Sequence, residues 1–529
     1  MERWLLLKGS KRWLVVAWLV LICAFALLHA IHLTADFPNH SPWSNDWAKY
    51  TDEGWYGNAA IRAHLFGNWY MPGDFNPAVA LPVWPFLEWL LFFVTGVSLQ
   101  AARGLAIVFF IANLQLSYLL LRARGPRWAA LLLVTLLVTS PFLYCFSRLA
   151  ILEPLLTTLT LAALNLAVRL PRLHRPVLAA AVVGLLFALM MLTKTTAIFL
   201  LPALGWAILL SLWSDRGLAV RCCLAAAATA AAAYGVWMAL IFRLGLFADY
   251  RYLFFVNSYP KPVQMTWPLV SLWWSFHGGL WVDRILIPLA GLIAVAALAA
   301  CRTEWGRRLV LDPVFGSAIL AVAGYILFMT VQNHPQPRYF AVVAIFCFIL
   351  VAQGAASLLE QTGAARQFGW GVVALAVIAV VVNGTWTVSY AAHPEYTFVT
   401  AAQRLTHYID QHPNGKRLLV SVSGDEITLT THLAALCDDF GTEDLSAKTF
   451  AYQPGWYATW NDLDPGTLAD IHTHFSLEQV ASFDAYDDPE RRVLVLFKLR
   501  PLPAGTMRDQ GEQNTQIPLP DDKIDIPIQ

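Results

Sequence analysis

Long apolar stretches separated by short polar turns set the rhythm of the first 390 residues. Runs of roughly membrane-crossing length fall near residues 13–31, 79–97, 101–121, 128–146, 149–168, 177–193, 196–213, 218–242, 284–301, 313–331, 339–358 and 369–390. A crossing helix takes about 20 apolar residues, so the pattern predicts a mainly α, polytopic transmembrane helix bundle. The first break is a polar loop after residue 32. The second comes near residue 395, where charge rises, apolar runs shorten and turn residues appear. Beyond it, Leu418–Ser423 reads as a buried strand, and Ile427–Cys437 and Leu468–His474 read as short helices. The second helix is opened by Asp464-Pro465-Gly466. Val480–Tyr486 and Arg492–Leu499 read as strands. The expected organisation is a membrane module over 1–394 with a first outer loop at about 33–100, and a small α/β domain over 395–503. A polar, Pro-containing tail over 504–529 is expected to be disordered.

Charge between the runs decides which of them cross. Basic residues favour cytoplasmic loops, so Arg3, Lys8, Lys11 and Arg12 put the N-terminus inside. No small-residue cleavage site is evident near Ala30, and the first run reads as an uncleaved span. If every run crossed, Arg122/Arg124/Arg127 and Arg169/Arg172/Arg175 would both fall outside. Removing one crossing before residue 121 brings these inside, together with Arg216/Arg221, Arg302/Arg307/Arg308 and Arg366. The weakest run is 79–97, with Pro82, Pro85 and Glu88, and with Trp84 and Trp89 as interfacial anchors. A charge at mid-bilayer costs roughly 2.5–3.5 kcal/mol, so this run reads as an interfacial or re-entrant segment with Glu88 solvated. About eleven spans remain. The outer face then receives the 33–100 region, the turn Ser147–Glu153, Lys194, the 243–283 and 332–338 loops, and everything after about 391.

Composition agrees with the bundle. The chain is 58% hydrophobic and 13% charged, with a mean hydropathy of +0.54, against about 25% charged for an ordinary soluble domain. A net charge of +1 argues against nucleic acid as a partner. The seven cysteines lie mostly in apolar runs, without metal-ligand spacing or a disulfide framework. No Walker motif, GxGxxG or HExxH occurs, and His277 and His334 stand alone, so the sequence calls for no cofactor and supports no divalent metal site. With acidic residues facing outside, where nucleotide sugars are scarce, a donor carried on lipid phosphate is the economical choice.

Candidate chemistry sits in the outer turns. Asp52 and Glu53 open a segment of helical length, Glu53 to Phe66. Each can be a solvated carboxylate, a helix cap favoured by the dipole, or the base that glycosyl transfer requires. Glu153, before Pro154, is either a cap paired with Arg148 or a second carboxylate of the cleft. Lys194 and Arg338 lie at outer ends of spans, where cations are disfavoured; they either snorkel or bind phosphate. Trp43, Trp47, Trp55, Trp69, Trp84, Trp89, Trp267, Trp273, Trp274 and Trp281 crowd the outer loops. Most read as belt anchors, with one or two free to stack on a sugar.

Asp52-Glu53-Gly54-Trp55-Tyr56 resembles the Asp-Glu-x-x-Tyr start of the first outer loop in GT-C glycosyltransferases of the dolichyl-phosphate-mannose protein mannosyltransferase family (glycosyltransferase family 39), to which bacterial aminoarabinose lipid A transferases are related. Gly96-Val97-Ser98-Leu99-Gln100-Ala101-Ala102-Arg103 is similar to their Gly-x-Ser-x-x-Ala-Ala-Arg. Arg148 through Glu153-Pro154 resembles Arg-x-x-x-x-Asp-Pro, Leu192-Thr193-Lys194 a Lys-containing turn, and Pro337-Arg338-Tyr339 a later Arg-Tyr. The resemblance covers roughly residues 45–345. It implies an inverting enzyme moving a sugar from a polyprenyl-phosphate donor to an acceptor hydroxyl on a lipid, glycan or protein. Asp52 would be the base, supported by Glu53 and Glu153. Lys194, Arg338 and Arg148 would hold the donor phosphate, and Trp55 and Tyr56 would stack on substrate. The implied place is a bacterial inner membrane, with the active site and C-terminal domain periplasmic. Two departures stand out: Glu153 replaces the usual Asp, and Asn76-Pro77-Ala78-Val79-Ala80-Leu81-Pro82 lacks the cation that precedes a Pro-Pro-Leu motif in many relatives. The competing readings are a transporter or flippase of lipid-linked sugars and a non-catalytic subunit of a glycan assembly complex.

Overall fold

A computed structural model describes residues 9–257, 283–331, 336–486 and 491–503. Helix α1 (Gly9–Ala30) leads into a loop that carries α2 (Asp52–Phe66) and α3 (Val83–Thr95). Then come α4 (Leu99–Arg122), α5 (Arg127–Thr139), α6 (Pro141–Ser147), α7 (Leu152–Arg169), α8 (Pro176–Thr193), α9 (Leu201–Ser211), α10 (Arg216–Arg243) and the short α11 (Phe247–Arg251). The bundle closes with α12 (Leu286–Ala299), α13 (Glu304–Val310), α14 (Pro313–Val331), α15 (Phe340–Leu359) and α16 (Gly363–Ala392). Helix α15 is its central post, buried along nearly its whole length. The basic tip Arg3/Lys8, the tryptophans at 267, 273, 274 and 281, His277, His334 and the tail 504–529 lie outside the described residues.

Among the described residues, eight helices are long and apolar enough to cross a membrane, or up to ten if two bent pairs count as one span each. The chain is a multi-pass integral membrane protein. Three apolar runs are broken in ways that hydropathy alone does not reveal. Run 128–146 is the pair α5–α6, bent by 66°. Pro141 cannot donate to the helix before it, and the Ser140 hydroxyl restarts the helix by accepting from the Leu143 N–H at 3.3 Å. Run 284–301 ends in a 120° turn between α12 and α13, where Thr303 caps the second helix. Run 196–213 opens as a 3-10 turn, Thr195–Leu200, which leaves α9 only 11 residues.

Helix α3 has 13 residues; at 1.5 Å per residue it is about 20 Å long, short of a hydrocarbon core of about 30 Å. Its Phe86, Trp89, Leu90, Phe93 and Val94 are exposed, as an interfacial helix requires. The expectation of a solvated Glu88 is corrected, and so is that of Trp84 as an anchor. Both are fully buried, Glu88 against α2 and Trp84 beside Phe109 of α4. Gly57 makes this possible, because a Cβ there would strike the Glu88 carboxylate. Burial pushes the Glu88 carboxyl well above the ordinary range, which favours the neutral acid.

The C-terminal domain runs α17 (Thr397–Gln411), β1 (Lys416–Val420), α18 (Gly424–Thr431), β2 (Ala434–Leu436), α19 (Leu445–Tyr452), β3 (Pro454–Trp460), α20 (Pro465–His472), β4 (Phe475–Asp484) and β5 (Val493–Pro501). The sheet order is β2-β1-β3-β5-β4. Strands β2, β1 and β3 are parallel, whereas β3, β5 and β4 pair antiparallel. The expected helix 427–437 is corrected: α18 ends at Thr431, His432 turns left-handed at φ 63°, and β2 follows. Strand β3 and helices α17 and α19 were not foreseen.

This domain is stitched to the first loop. Asp36 caps α17 by accepting from the Phe398 and Val399 N–H groups at 2.8 and 3.2 Å. Tyr50 lies in the core formed by Phe398, Leu405, Trp456 and Trp460 on one face of the sheet. Met71 enters the core on the other face with Leu418, Tyr457 and Phe497.

Candidate active site

Consecutive residues on a helix point about 100° apart, so Asp52 and Glu53, side by side in the first turn of α2, meet different neighbours. The Asp52 carboxylate contacts the Arg338 guanidinium, with Oδ2 to Nη2 at 2.8 Å. Arg338 also donates to Asp46, from Nη1 to Oδ1 at 2.5 Å and from its backbone N–H to Oδ2 at 2.8 Å. A 3-10 turn, Pro337–Tyr339, holds Arg338 at the head of α15. Glu153, in the first turn of α7, pairs with Lys194, which sits in extended backbone just past α8. The ring of Tyr339 joins the two pairs. Lys194 Nζ lies 4.4 Å from its centroid and the Arg338 guanidinium carbon 4.9 Å from it, both cation–π distances.

Five charged side chains from four separated stretches of the chain thus share one buried cluster, three acids against two bases. Burial raises the Asp52 carboxyl to about 6. Arg338 opposes the shift most strongly, Asp46 and Glu153 add to it, and Lys194 draws it back. Burial lowers the Lys194 ammonium from its ordinary value, against the pull of Glu153. Loss of water around the half-buried Tyr56 phenol, with Asp52 nearby, holds it well above its ordinary range, and it stays a hydroxyl. Glu153 Oε2 and Arg338 Nε make no hydrogen bond, which is costly for buried polar atoms unless something binds there.

Glu53 has a different setting. Its Oε1 accepts from Arg103 Nε at 2.8 Å and from the Ala150 N–H at 2.7 Å, and its Oε2 accepts from Arg103 Nη2 at 2.5 Å. Arg103 spends its remaining amino group on the Leu33 and Ala35 carbonyls, at 2.8 and 2.5 Å. Arg148 is also elsewhere: it donates to the Tyr144 hydroxyl and to the Ile31 and His32 carbonyls. The Glu153–Arg148 pair weighed from sequence is therefore replaced by Glu153–Lys194. Trp55 is buried, tilted against Phe75 and edge-on to Phe440 at ring-centroid distances of 5.0 and 4.9 Å, which leaves no open face for a sugar. Tyr56, partly exposed, packs where the two apolar cores of the bundle meet.

Two members of the cluster were not foreseen. Asp46 sits in a polar loop, where an acid reads as solvated, and Tyr339 was noted only as half of an Arg-Tyr pair. Among the described residues, no group of three or more His, Cys, Asp or Glu is placed to hold a metal ion.

The bundle of apolar helices, the short interfacial helix and the C-terminal α/β domain together make a GT-C-like fold. The chain superposes on ArnT from Cupriavidus metallidurans with a TM-score of 0.58 at 15% identity, over 91% of this chain and 98% of that one. The same protein bound to undecaprenyl phosphate matches with a TM-score of 0.59 at 16% identity, over the same shares. The oligosaccharyltransferase of Archaeoglobus fulgidus in its apo form matches with a TM-score of 0.50 at 13% identity, over 87% of this chain and 73% of that one. No family model and no curated protein matches the sequence.

Proposed function

We propose that the chain is an inverting glycosyltransferase. It would move a sugar from a polyprenyl-phosphate donor to a hydroxyl of a lipid, glycan or protein acceptor on the periplasmic side of a bacterial inner membrane. Asp52 takes the proton of the acceptor hydroxyl as that oxygen bonds to the anomeric carbon. The bond from that carbon to the phosphate oxygen breaks on the opposite face, and the departing lipid phosphate carries the negative charge. Arg338 and Lys194, both close to the Tyr339 ring, stabilise that charge. Glu153 holds Lys194 in place, and Asp46 does the same for Arg338. Glu53 and Arg148 serve as scaffold in this reading, and Tyr56, near Asp52, is the aromatic left to stack on substrate.

The observation that carries the proposal is geometric: a buried carboxylate in contact with Arg338 at 2.8 Å, in one cluster with the Glu153–Lys194 pair across the Tyr339 ring, where burial raises the Asp52 carboxyl to about 6. A base works best when its pKa lies near the operating pH. The likeness to a structure bound to undecaprenyl phosphate supports the carrier class.

The test is transfer by purified protein from undecaprenyl-phosphate sugars, read by mass spectrometry of product. Asp52→Asn is expected to lower turnover by roughly 10²–10⁴ while undecaprenyl phosphate still binds. A fully active Asp52→Asn enzyme overturns the mechanism.

A further inference from the structure

The side of α2 that does not face the charged cluster is gripped by the C-terminal domain, through two adjacent acids in the first turn of α18. Glu426 Oε2 accepts the N–H of Gly54 at 2.8 Å, two residues after Asp52. Asp425 Oδ1 accepts from Arg62 Nη2 at 2.9 Å, and Arg62 also reaches Asp74 at 2.7 Å. Asn58 Nδ2 lies 3.4 Å from Asp425 Oδ2 and donates to the Phe75 carbonyl at 2.7 Å. Asp425 and Glu426 are each only 2% exposed. The two backbones approach so closely at Gly54 that a Cβ there would collide with the peptide linking Asp425 to Glu426.

The Gly54 N–H belongs to the first turn of α2, where amides lack partners within the helix. The Thr51 side chain does not cap it. A residue more than 370 positions away supplies the missing acceptor. The grip therefore fixes the end of the helix from which Asp52 projects.

We propose that Glu426 is a positioning residue for the reaction, with the C-terminal domain setting the aim of Asp52 by supplying the N-terminal cap of α2. The inference rests on the proposed role of Asp52. It deepens that role by giving the C-terminal domain a part in turnover. Burial beside Glu53 pushes the Glu426 carboxyl well up, so a neutral amide of the same shape should serve equally well.

The experiment compares wild type, Glu426→Gln and Glu426→Ala in the full-length purified protein. Hydrogen exchange by mass spectrometry is read over residues 51–66 and over the rest of the chain, alongside turnover and the KM for undecaprenyl-phosphate sugar. In Glu426→Ala, exchange should rise within α2 while protection elsewhere is kept, because local opening is separable from global unfolding. Turnover should fall about a hundredfold, as a misplacement near 1 Å can cause, with KM unchanged. Glu426→Gln should restore both readouts. Unchanged α2 exchange in Glu426→Ala, a loss confined to KM, or failure of Gln to rescue would each overturn the inference. Absence of transfer in wild type would overturn the glycosyltransferase reading instead, and the α2 exchange would still decide whether Glu426 caps the helix.

Discussion

Asp52 and Glu53 are neighbours in sequence, equally buried and each paired with an arginine, yet their surroundings differ in one respect. Around Glu53 the hydrogen bonds close on themselves: both carboxylate oxygens and the Arg103 guanidinium are spent on protein partners. Around Asp52 they do not close, since Glu153 Oε2 and Arg338 Nε are left over and acids outnumber bases. A closed network adds rigidity, whereas an open one keeps a cost that a ligand can relieve. Two carboxylates that no composition argument can separate are separated by counting their partners.

That contrast is broken most directly by neutralising each acid in turn. Asp52→Asn should lose roughly 10²–10⁴ of turnover with little change in melting temperature. Glu53→Gln should do the reverse, destabilising the protein by roughly 3–5 kcal/mol because it strands the Arg103 charge, with turnover per folded molecule largely kept. Thermal unfolding in detergent beside a transfer assay reads both. A thermally silent but inactive Glu53→Gln would reverse the assignment.

Gly54→Ala tests the other side of the same turn, and a loss of about 1–3 kcal/mol is expected from overpacking against the Asp425–Glu426 peptide. Melting temperature with activity beside it is the check.

The pH profile sharpens the comparison further. As the proposed base, Asp52 must be ionised to accept a proton, so turnover should fall on the acid side with a midpoint about 6. Lys194 helps hold that value down; Lys194→Gln should therefore move the acid limb to higher pH and weaken binding of undecaprenyl phosphate. A limb that stays in place removes Lys194 from the electrostatics of Asp52. The smallest effect is expected at the far end of the bundle, where Arg308 and Glu304 form an exposed pair one helical turn apart. Arg308→Gln should change stability by less than about 0.5 kcal/mol and leave turnover alone.

Glu153, Lys194 and Arg338 stand out in the sequence because each lies at an end of apolar chain that parity assigns to one face, and Asp52 because it opens a helical segment in the outer loop on that face. Their partners were hidden. Whether Glu153 pairs with Arg148 or Lys194 depends on how the end of α8 docks beside α7, and no spacing encodes that. Asp46 was lost among polar neighbours, and Glu88 was misplaced because its burial depends on a glycine thirty-one positions earlier. Bundle character was plain from apolar run length, but the breaks at Ser140–Pro141 and Thr303 turn on single caps that a hydropathy average smooths away. The second acidic doublet, Asp425-Glu426, carried a visible signal in repeating the Asp52-Glu53 pattern. Its meaning lay in a contact between the two ends of the chain.

Tyr50 and Met71, made long before the C-terminal domain, complete hydrophobic cores whose other buried members lie between residues 398 and 499. Helix α2 therefore cannot reach its finished position until residues 398–499 have been made. A nascent chain stalled anywhere upstream would display an unfinished loop to the quality-control machinery. A truncated product would not be a weaker version of this protein, because its first loop would have nothing to close upon.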